Sequence, residues 1–332
     1  MALQISLVGC GAIGKRHAQE IIQNNHKLAA VCDIDMHRAE EVSSMYNCPV
    51  FSDINSMIQQ VSNIDVVSIC TPNYLHAQQS IQCLQSGKHV LCEKPMAIST
   101  QDALDMLNAS KQHGKKLLVV KQNRFNAPVK AVKQLLNEGK LGNIHSFQIN
   151  CYWNRPEQYY SQSWRGKKAT DGGTLFTQFS HFIDLMHWYL GDVAHIHFIP
   201  QNAMHPYIEF EDSGIISFQM SNGAIGSMQY NVNAFQKNME GSFVLFGEKG
   251  TIKIGGPYLN TIDYQSIESG SIEIESIATA PNEYGTYQGT MRNHGMIYKE
   301  LQNAIMNDAH SLADAFEGYK TVETIERIYS SI

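Results

Sequence analysis

Apolar positions along residues 3–125 alternate between two periods. Short runs rich in branched side chains occupy 3–9, 27–33, 50–52, 65–71, 89–93 and 116–122, and each reads as a strand. Between them, 37–46, 75–86 and 101–113 carry apolar residues at helical spacing. Gly87 and Gly114 follow the last two patterns, where a helix ends on a left-handed residue, and Ser99 precedes the third as a cap. Strand, helix, strand in repetition predicts βαβ units around a doubly wound parallel sheet.

Past a helix that ends near Gly139 the pattern changes. Strand-like runs at 144–153, 194–203, 215–220, 224–231 and 243–246 are joined by turns such as Ser221-Asn222-Gly223, which predicts a large open, mostly antiparallel sheet. Helices are expected over 172–190, 293–306 and 312–329. A chain of 332 residues exceeds one ordinary core, because single cores stop growing near ~250–300 residues. The expected division is an α/β domain over 1–124 and an α+β domain over 125–332, with the C-terminal helix able to pack back on the first.

Composition narrows the function classes. Hydrophobic residues at 43% and charged residues at 17% are ordinary globular usage and disfavour disorder or coiled coil. A formal net charge of -6 offers no broad basic field, so no nucleic-acid partner is expected. The seven cysteines form no C-x-x-C pair and no zinc-like spacing, so they read as reduced, buried residues and no metal is expected. The N-terminus lacks a basic leader, and no apolar run approaches the ~18 residues of a membrane span, so the expectation is a cytoplasmic protein.

The first strand runs into Gly9-Cys10-Gly11-Ala12-Ile13-Gly14 and then a helix. In that context the first glycine allows a tight turn, the second admits a pyrophosphate and the third lets helix and strand approach. Asp33 ends the second strand 19 residues after Gly14, where a carboxylate accepts hydrogen bonds from ribose hydroxyls. Gly9, Gly11, Ala12, Ile13, Gly14 and Asp33 therefore predict a Rossmann-type dinucleotide site. The carboxylate repels a 2′-phosphate, which favours NAD over NADP; Arg38 could favour the phosphate, but an exposed helix arginine is its plainer reading.

Further segments carry a resemblance: Cys70-Thr71-Pro72-Asn73-Tyr74-Leu75-His76, Glu93-Lys94-Pro95, and Gly172-Gly173 leading to His181-Phe182-Ile183-Asp184. With the glycine turn they resemble the Gfo/Idh/MocA oxidoreductases over nearly the whole chain. Val120-Lys121-Gln122-Asn123-Arg124-Phe125-Asn126, Arg155-Pro156-Glu157-Gln158-Tyr159-Tyr160 and Trp164-Arg165-Gly166 are similar to the branch that oxidises the 3-hydroxyl of UDP-N-acetylglucosaminuronic acid for surface polysaccharide. The resemblance implies NAD contacts from Thr71, Pro72, Asn73, His76, Glu93, Lys94, Gln122, Trp164 and Arg165. It implies sugar contacts from Lys94, Asn123, Arg155, Tyr160, Arg165, Thr177, Gln178 and His181. Inositol or free-sugar dehydrogenases and a non-enzymatic dinucleotide-sensing regulator are the alternatives, and retention of both Lys94 and His181 argues against the regulator.

Oxidation of a secondary alcohol needs a proton acceptor, a group that steadies the alkoxide and a positioned nicotinamide. Lys94, at the carboxyl end of a strand, and His181 suit the first two tasks, although a solvated lysine and a structural histidine are the ordinary alternatives. Gln178 and Thr177 precede His181 by three and four residues on one helix face, and Asp184 is placed to orient the ring. Many family members carry Asp where Thr177 stands, so the base is either His181 alone or a deprotonated Lys94. Arg155, Arg165, Lys167 and Lys168 with Tyr159, Tyr160 and Trp164 suit a diphosphate, a uronate or a base, or else a solvated loop against another subunit. An open sheet usually needs its outer face covered, which predicts a homodimer or homotetramer through the second domain.

Overall fold

The computed structural model describes residues 2–161, 164–274, 281–283, 288–309 and 311–332. It divides into two compact units, Met1–Lys121 with His294–Val322, and Gln122–Asn293 with Glu323–Ile332.

The first unit holds β1 (Gln4–Val8), α1 (Ala12–Gln23), β2 (Lys27–Cys32), α2 (Met36–Tyr46), β3 (Val50–Phe51), α3 (Ile54–Gln60), β4 (Val66–Ile69), α4 (His76–Gln85), β5 (His89–Cys92), α5 (Thr100–His113) and β6 (Leu117–Val119). The strands lie in the order β3-β2-β1-β4-β5-β6, every neighbouring pair parallel. The doubly wound sheet expected from the sequence is thus present. Helices cover both faces of such a sheet, so β4 reads as the uninterrupted run Val66-Val67-Ser68-Ile69 and is buried throughout. Ser99 caps α5 by accepting the Asp102 N–H at 3.1 Å, and left-handed Gly114 ends it.

The second unit holds α6 (Ala127–Asn137), β7 (Ile144–Tyr152), α7 (Glu157–Tyr160), α8 (Lys168–Asp171), α9 (Ser180–Leu190), β8 (Val193–Gln201), β9 (Ser213–Met220), β10 (Ile225–Asn231), β11 (Glu240–Gly247), β12 (Gly250–Gly255) and β13 (Thr261–Ile267). Their order is β13-β12-β11-β7-β10-β9-β8. All pairings are antiparallel except β7 with β10, which run parallel. β9 alternates strictly, with Ile216, Phe218 and Met220 buried and Ile215, Ser217 and Gln219 exposed, so the sheet has one packed face. A pair, β14 (Pro281–Glu283) and β15 (Gln288–Met291), lies apart; α10 (His294–Met306) belongs to the first unit, and α11 (Ala315–Tyr329) begins there and ends in the second.

The large, mostly antiparallel sheet expected from the sequence is present, with one inner pairing parallel, and it runs on beyond 246 through β12 and β13. One expectation is corrected. The helix expected over 172–190 is not continuous: Leu175–Phe179 is wound as a π-helix and only then does α9 begin. Gly172 and Gly173 precede it with φ of 92° and 131°, so the chain cannot enter as a regular helix. A Cβ on Gly173 would also lie 2.3 Å from the Tyr329 hydroxyl.

Candidate active site

The three glycines of the first turn have different duties. Gly9 has φ 91°, and a Cβ there would sit 2.6 Å from the Cys70 carbonyl oxygen. A Cβ on Gly14 would sit 1.9 Å from the Gly9 carbonyl oxygen. These two positions close the turn on the sheet. Gly11 is different, since a Cβ would meet nothing within 4 Å, so its bare backbone faces open space at the start of α1. Exposed Ala12 and half-buried Ile13 follow, and the positive end of the helix is directed at that space. Asp33 reaches back to the same turn, its Oδ2 accepting the Cys10 N–H at 2.7 Å and its Oδ1 the Asp35 N–H at 2.9 Å. Each carboxylate oxygen has a further lone pair for a ribose hydroxyl, so the turn and its acid fit NAD. Arg38 pairs with Asp35 at 3.1 Å, both exposed, as an ordinary surface contact.

The remaining cofactor candidates of this unit follow β4 and β5. The Thr71 hydroxyl donates to Gln79 at 2.6 Å, Pro72 is half-buried, and Asn73 is buried in the turn before α4. Buried His76 bridges the two loops, with Nδ1 2.7 Å from the Pro95 carbonyl and Nε2 2.8 Å from the Thr71 carbonyl. Burial lowers its pKa. Half-buried Lys94 lies two residues past the end of β5, and its N–H donates to Glu93 Oε2 at 3.0 Å. The Glu93 carboxylate is turned into the unit: its Oε1 lies 2.9 Å from His17 Nε2 and 3.6 Å from His294 Nε2, and His17 Nδ1 lies 2.7 Å from the Tyr298 hydroxyl. Burial pushes this carboxyl up, and the two imidazoles outweigh it and hold it well below the usual range. Ligand atoms of His17, Glu93 and His294 all lie within 4.8 Å of one another, a donor set of the kind that holds divalent metals, whereas the sequence led us to expect none.

In the second unit, His181 is buried on α9 and its Nε2 lies 3.2 Å from the Gln122 amide nitrogen. An amide nitrogen only donates, so as placed the ring nitrogen is the acceptor; a half-turn of the amide would offer Oε1 to a protonated ring. Gln122, expected at the cofactor, therefore acts directly on His181. Asn123, beside it, is 3% exposed and its Oδ1 has no hydrogen-bond partner among the described residues. Asp184 takes the Arg124 guanidinium with both oxygens at 2.8 Å, and Arg124 lies 4.8 Å from the centre of the Trp188 ring. Thr177 and Gln178 come from the π-helix. Thr177 is half-buried, whereas Gln178 is buried and ties Arg155 Nε (2.6 Å) to the Tyr159 hydroxyl (2.6 Å).

Arg155 is 3% exposed, and Asn154 and Asn238 accept further hydrogen bonds from it. Arg165 is half-buried and stacks 4.0 Å over Tyr159 and 5.1 Å from the Trp164 ring centre. Two guanidinium groups thus lie near the Tyr159 ring, buried Arg155 at 5.5 Å and half-buried Arg165 at 4.0 Å. Tyr160 packs edge-on against Tyr159 in a small cluster with Ile208, and burial raises its pKa. Sequence reasoning overlooked His17, His294, Tyr298 and Asp171; of these only His17, three residues beyond Gly14 on α1, carried a local signal.

Residues 3–121 match the model of the oxidoreductase family with an NAD-binding Rossmann fold, and 129–253 match the GFO/IDH/MocA C-terminal domain. Over its whole length the chain is similar to the WlbA dehydrogenase of Bordetella pertussis, solved with NADH and UDP-GlcNAcA: 32% identity, 96% of that chain covered, TM-score 0.89. It is 26% identical to inositol 2-dehydrogenase 2 of Saccharopolyspora erythraea across 100% of this chain and 94% of the relative. It is 28% identical to the 2,7-anhydro-N-acetylneuraminate hydratase of Escherichia coli across 76% of this chain and 67% of the relative. NAD, the cofactor of the matched Rossmann family, is its cofactor. With a glycine turn that fits a dinucleotide and family models matching both halves, the chain belongs to the Gfo/Idh/MocA family of NAD-dependent oxidoreductases.

Proposed function

We propose that this dehydrogenase oxidises the C3 hydroxyl of a UDP-linked sugar, UDP-N-acetylglucosaminuronic acid, in the making of surface polysaccharide. The observation that carries the reading is the end-to-end likeness to the WlbA dehydrogenase solved with NADH and UDP-GlcNAcA. The second unit's side chains support it, because the Arg165 guanidinium over Tyr159 and Trp164 suits an anionic, ring-bearing ligand.

NAD, when bound, accepts the hydride of the carbinol carbon. The glycine turn and Asp33 bind the cofactor's pyrophosphate and ribose, and they leave no step of proton transfer to that end. His181 takes the carbinol proton at Nε2 once the sugar hydroxyl displaces the Gln122 N–H from that nitrogen's single lone pair, and the turned amide can then offer Oε1 to the protonated ring. Lys94 steadies the alkoxide charge through its cation, or serves as the base where it is deprotonated. Asn123 Oδ1, buried and unpartnered among the described residues, supplies an acceptor for a sugar hydroxyl.

An inositol or free-sugar dehydrogenase is the second reading, favoured by the full-length likeness to inositol 2-dehydrogenase 2. A panel of UDP-sugars, the corresponding free sugars and inositol, scored by formation of NADH, separates the two. NADH formation with UDP-N-acetylglucosaminuronate at a kcat/KM at least about tenfold above any free sugar is expected, about 1.4 kcal/mol of preference. NADH formation with free sugars alone would end the nucleotide reading. The same proposal makes the protein cytoplasmic and homo-oligomeric, with exposed Ile199, Ile215 and Ile225 of the outer sheet face in the subunit contact.

A further inference from the structure

Asp171 ends α8, is 1% exposed and was not anticipated from sequence. Its Oδ2 accepts the Gly166 N–H at 2.9 Å. Its Oδ1 accepts the Thr177 hydroxyl in a short hydrogen bond, and the same hydroxyl is 3.2 Å from the Asp171 backbone carbonyl oxygen. One carboxylate therefore joins the Trp164-Arg165-Gly166 turn to the π-helix. The turn is fastened a second time by the Thr170 hydroxyl, which donates to the Trp164 carbonyl at 2.5 Å.

A threonine hydroxyl has one proton and two lone pairs. Both oxygens that Asp171 offers it are acceptors, and the backbone carbonyl remains one in any protonation state of the side chain. The proton of Thr177 is thus directed at residue 171. Thr177 is half-buried between buried Phe176 and Gln178, so it is the member of this trio that a ligand can reach. Toward that ligand it can only accept.

We propose that Asp171 is a positioning residue that makes Thr177 an obligatory hydrogen-bond acceptor, selecting a sugar that presents a donor there, a hydroxyl or an amide N–H. The assignment rests on the reading of this unit as the sugar side. It places substrate selection on hydrogen-bond polarity, which a donor or water-like threonine would not supply.

The test uses NAD-loaded enzyme and nucleotide sugars in which single hydroxyls are replaced by fluorine, which accepts but does not donate. One such analogue is expected to lose about tenfold or more in kcat/KM with wild type and with Thr177→Ser, chiefly through KM. With Thr177→Val that analogue is expected to do no worse than the parent sugar, because the shared hydrogen bond is already gone. Equal losses for every analogue in wild type and Thr177→Val would overturn the role of Thr177. Failure of wild type to oxidise any sugar would instead overturn the reading beneath it. Hydrogen exchange without sugar decides the Asp171 link separately: the Gly166 amide is expected to exchange about tenfold faster or more in Asp171→Ala than in Thr177→Val. Equal exchange rates in the two variants would overturn that link.

Discussion

The two units solve ligand placement in opposite ways. In the first, the groups aimed at the ligand are backbone: an unobstructed Gly11, the start of α1, and one carboxylate that braces the turn through the Cys10 N–H. In the second, on the proposed reading of it as the sugar side, they are side chains from separate elements, each held by another side chain: Gln122 on His181, Asp171 on Thr177, Gln178 on Arg155. A backbone site is indifferent to most side chains, so it suits a cofactor shared by a whole family. A side-chain network can be rewired residue by residue, and so it suits a substrate that changes between relatives.

The contrast extends to two buried glutamates. Glu93 and Glu211 are 6% and 7% exposed, and burial pushes both carboxyls up. Imidazoles beside Glu93 reverse the effect and hold it well below the ordinary value. Among the described residues, Glu211 has the hydroxyls of Tyr329 (2.8 Å) and Tyr230 (2.9 Å) as its side-chain donors, and it rises to about 7. At similar burial, hydrogen bonds from imidazoles, with their charge second, lower the one carboxyl, whereas tyrosine hydroxyls leave the other raised.

The largest expected effect separates chemistry from binding. Lys94→Met should lower kcat by about a thousandfold or more while leaving NADH affinity within about threefold, measured by steady-state kinetics and fluorescence titration. Loss of both together would mean that Lys94 belongs to the backbone site's binding function and not to the reaction.

Next in size is the pH dependence that Glu211 confers. Its folded pKa is raised from 4.5 to about 7, so between those values the folded state holds a proton that the unfolded chain has lost. Stability therefore falls as pH rises through that window, by roughly 3 kcal/mol in full, and the deficit persists above it. Glu211→Gln should remove the slope, so its unfolding free energy should gain on wild type between pH 5 and 8 in denaturant titrations. Parallel curves for the two proteins would assign the buried carboxyl an ordinary pKa.

The same contrast explains what could be read from the sequence. Gly9, Gly11, Gly14 and Asp33 were legible because a backbone site is written in contiguous residues, and the β1 to β6 runs are apolar because both faces are covered. In the second unit, β12 does alternate, Ile252 and Ile254 buried against Thr251 and Lys253, but with only two apolar positions between glycines it is too short to stand out, and β13 has no buried position to mark it. The π-helix at Leu175–Phe179 has the apolar content of an ordinary helix, and its cause, the Gly172-Gly173 entry against Tyr329, lies over 150 residues away in sequence at its far end. His17, Glu93 and His294 meet only through tertiary folding, and no spacing rule connects them. Asp171 was passed over for the same reason: its importance lies in what it touches, Gly166 and Thr177, and not in its own neighbourhood.

The central claim is that NAD rests on the first turn of the first unit, over the space that Gly11 leaves open. Calorimetric titration of NADH into Gly11→Val tests it, because a Cβ there meets nothing within 4 Å and φ is -69°, so the unliganded fold should keep its wild-type melting temperature. NADH affinity about thirtyfold weaker than wild type, near 2 kcal/mol, is the expected result. Wild-type affinity in a normally folded Gly11→Val protein would contradict it.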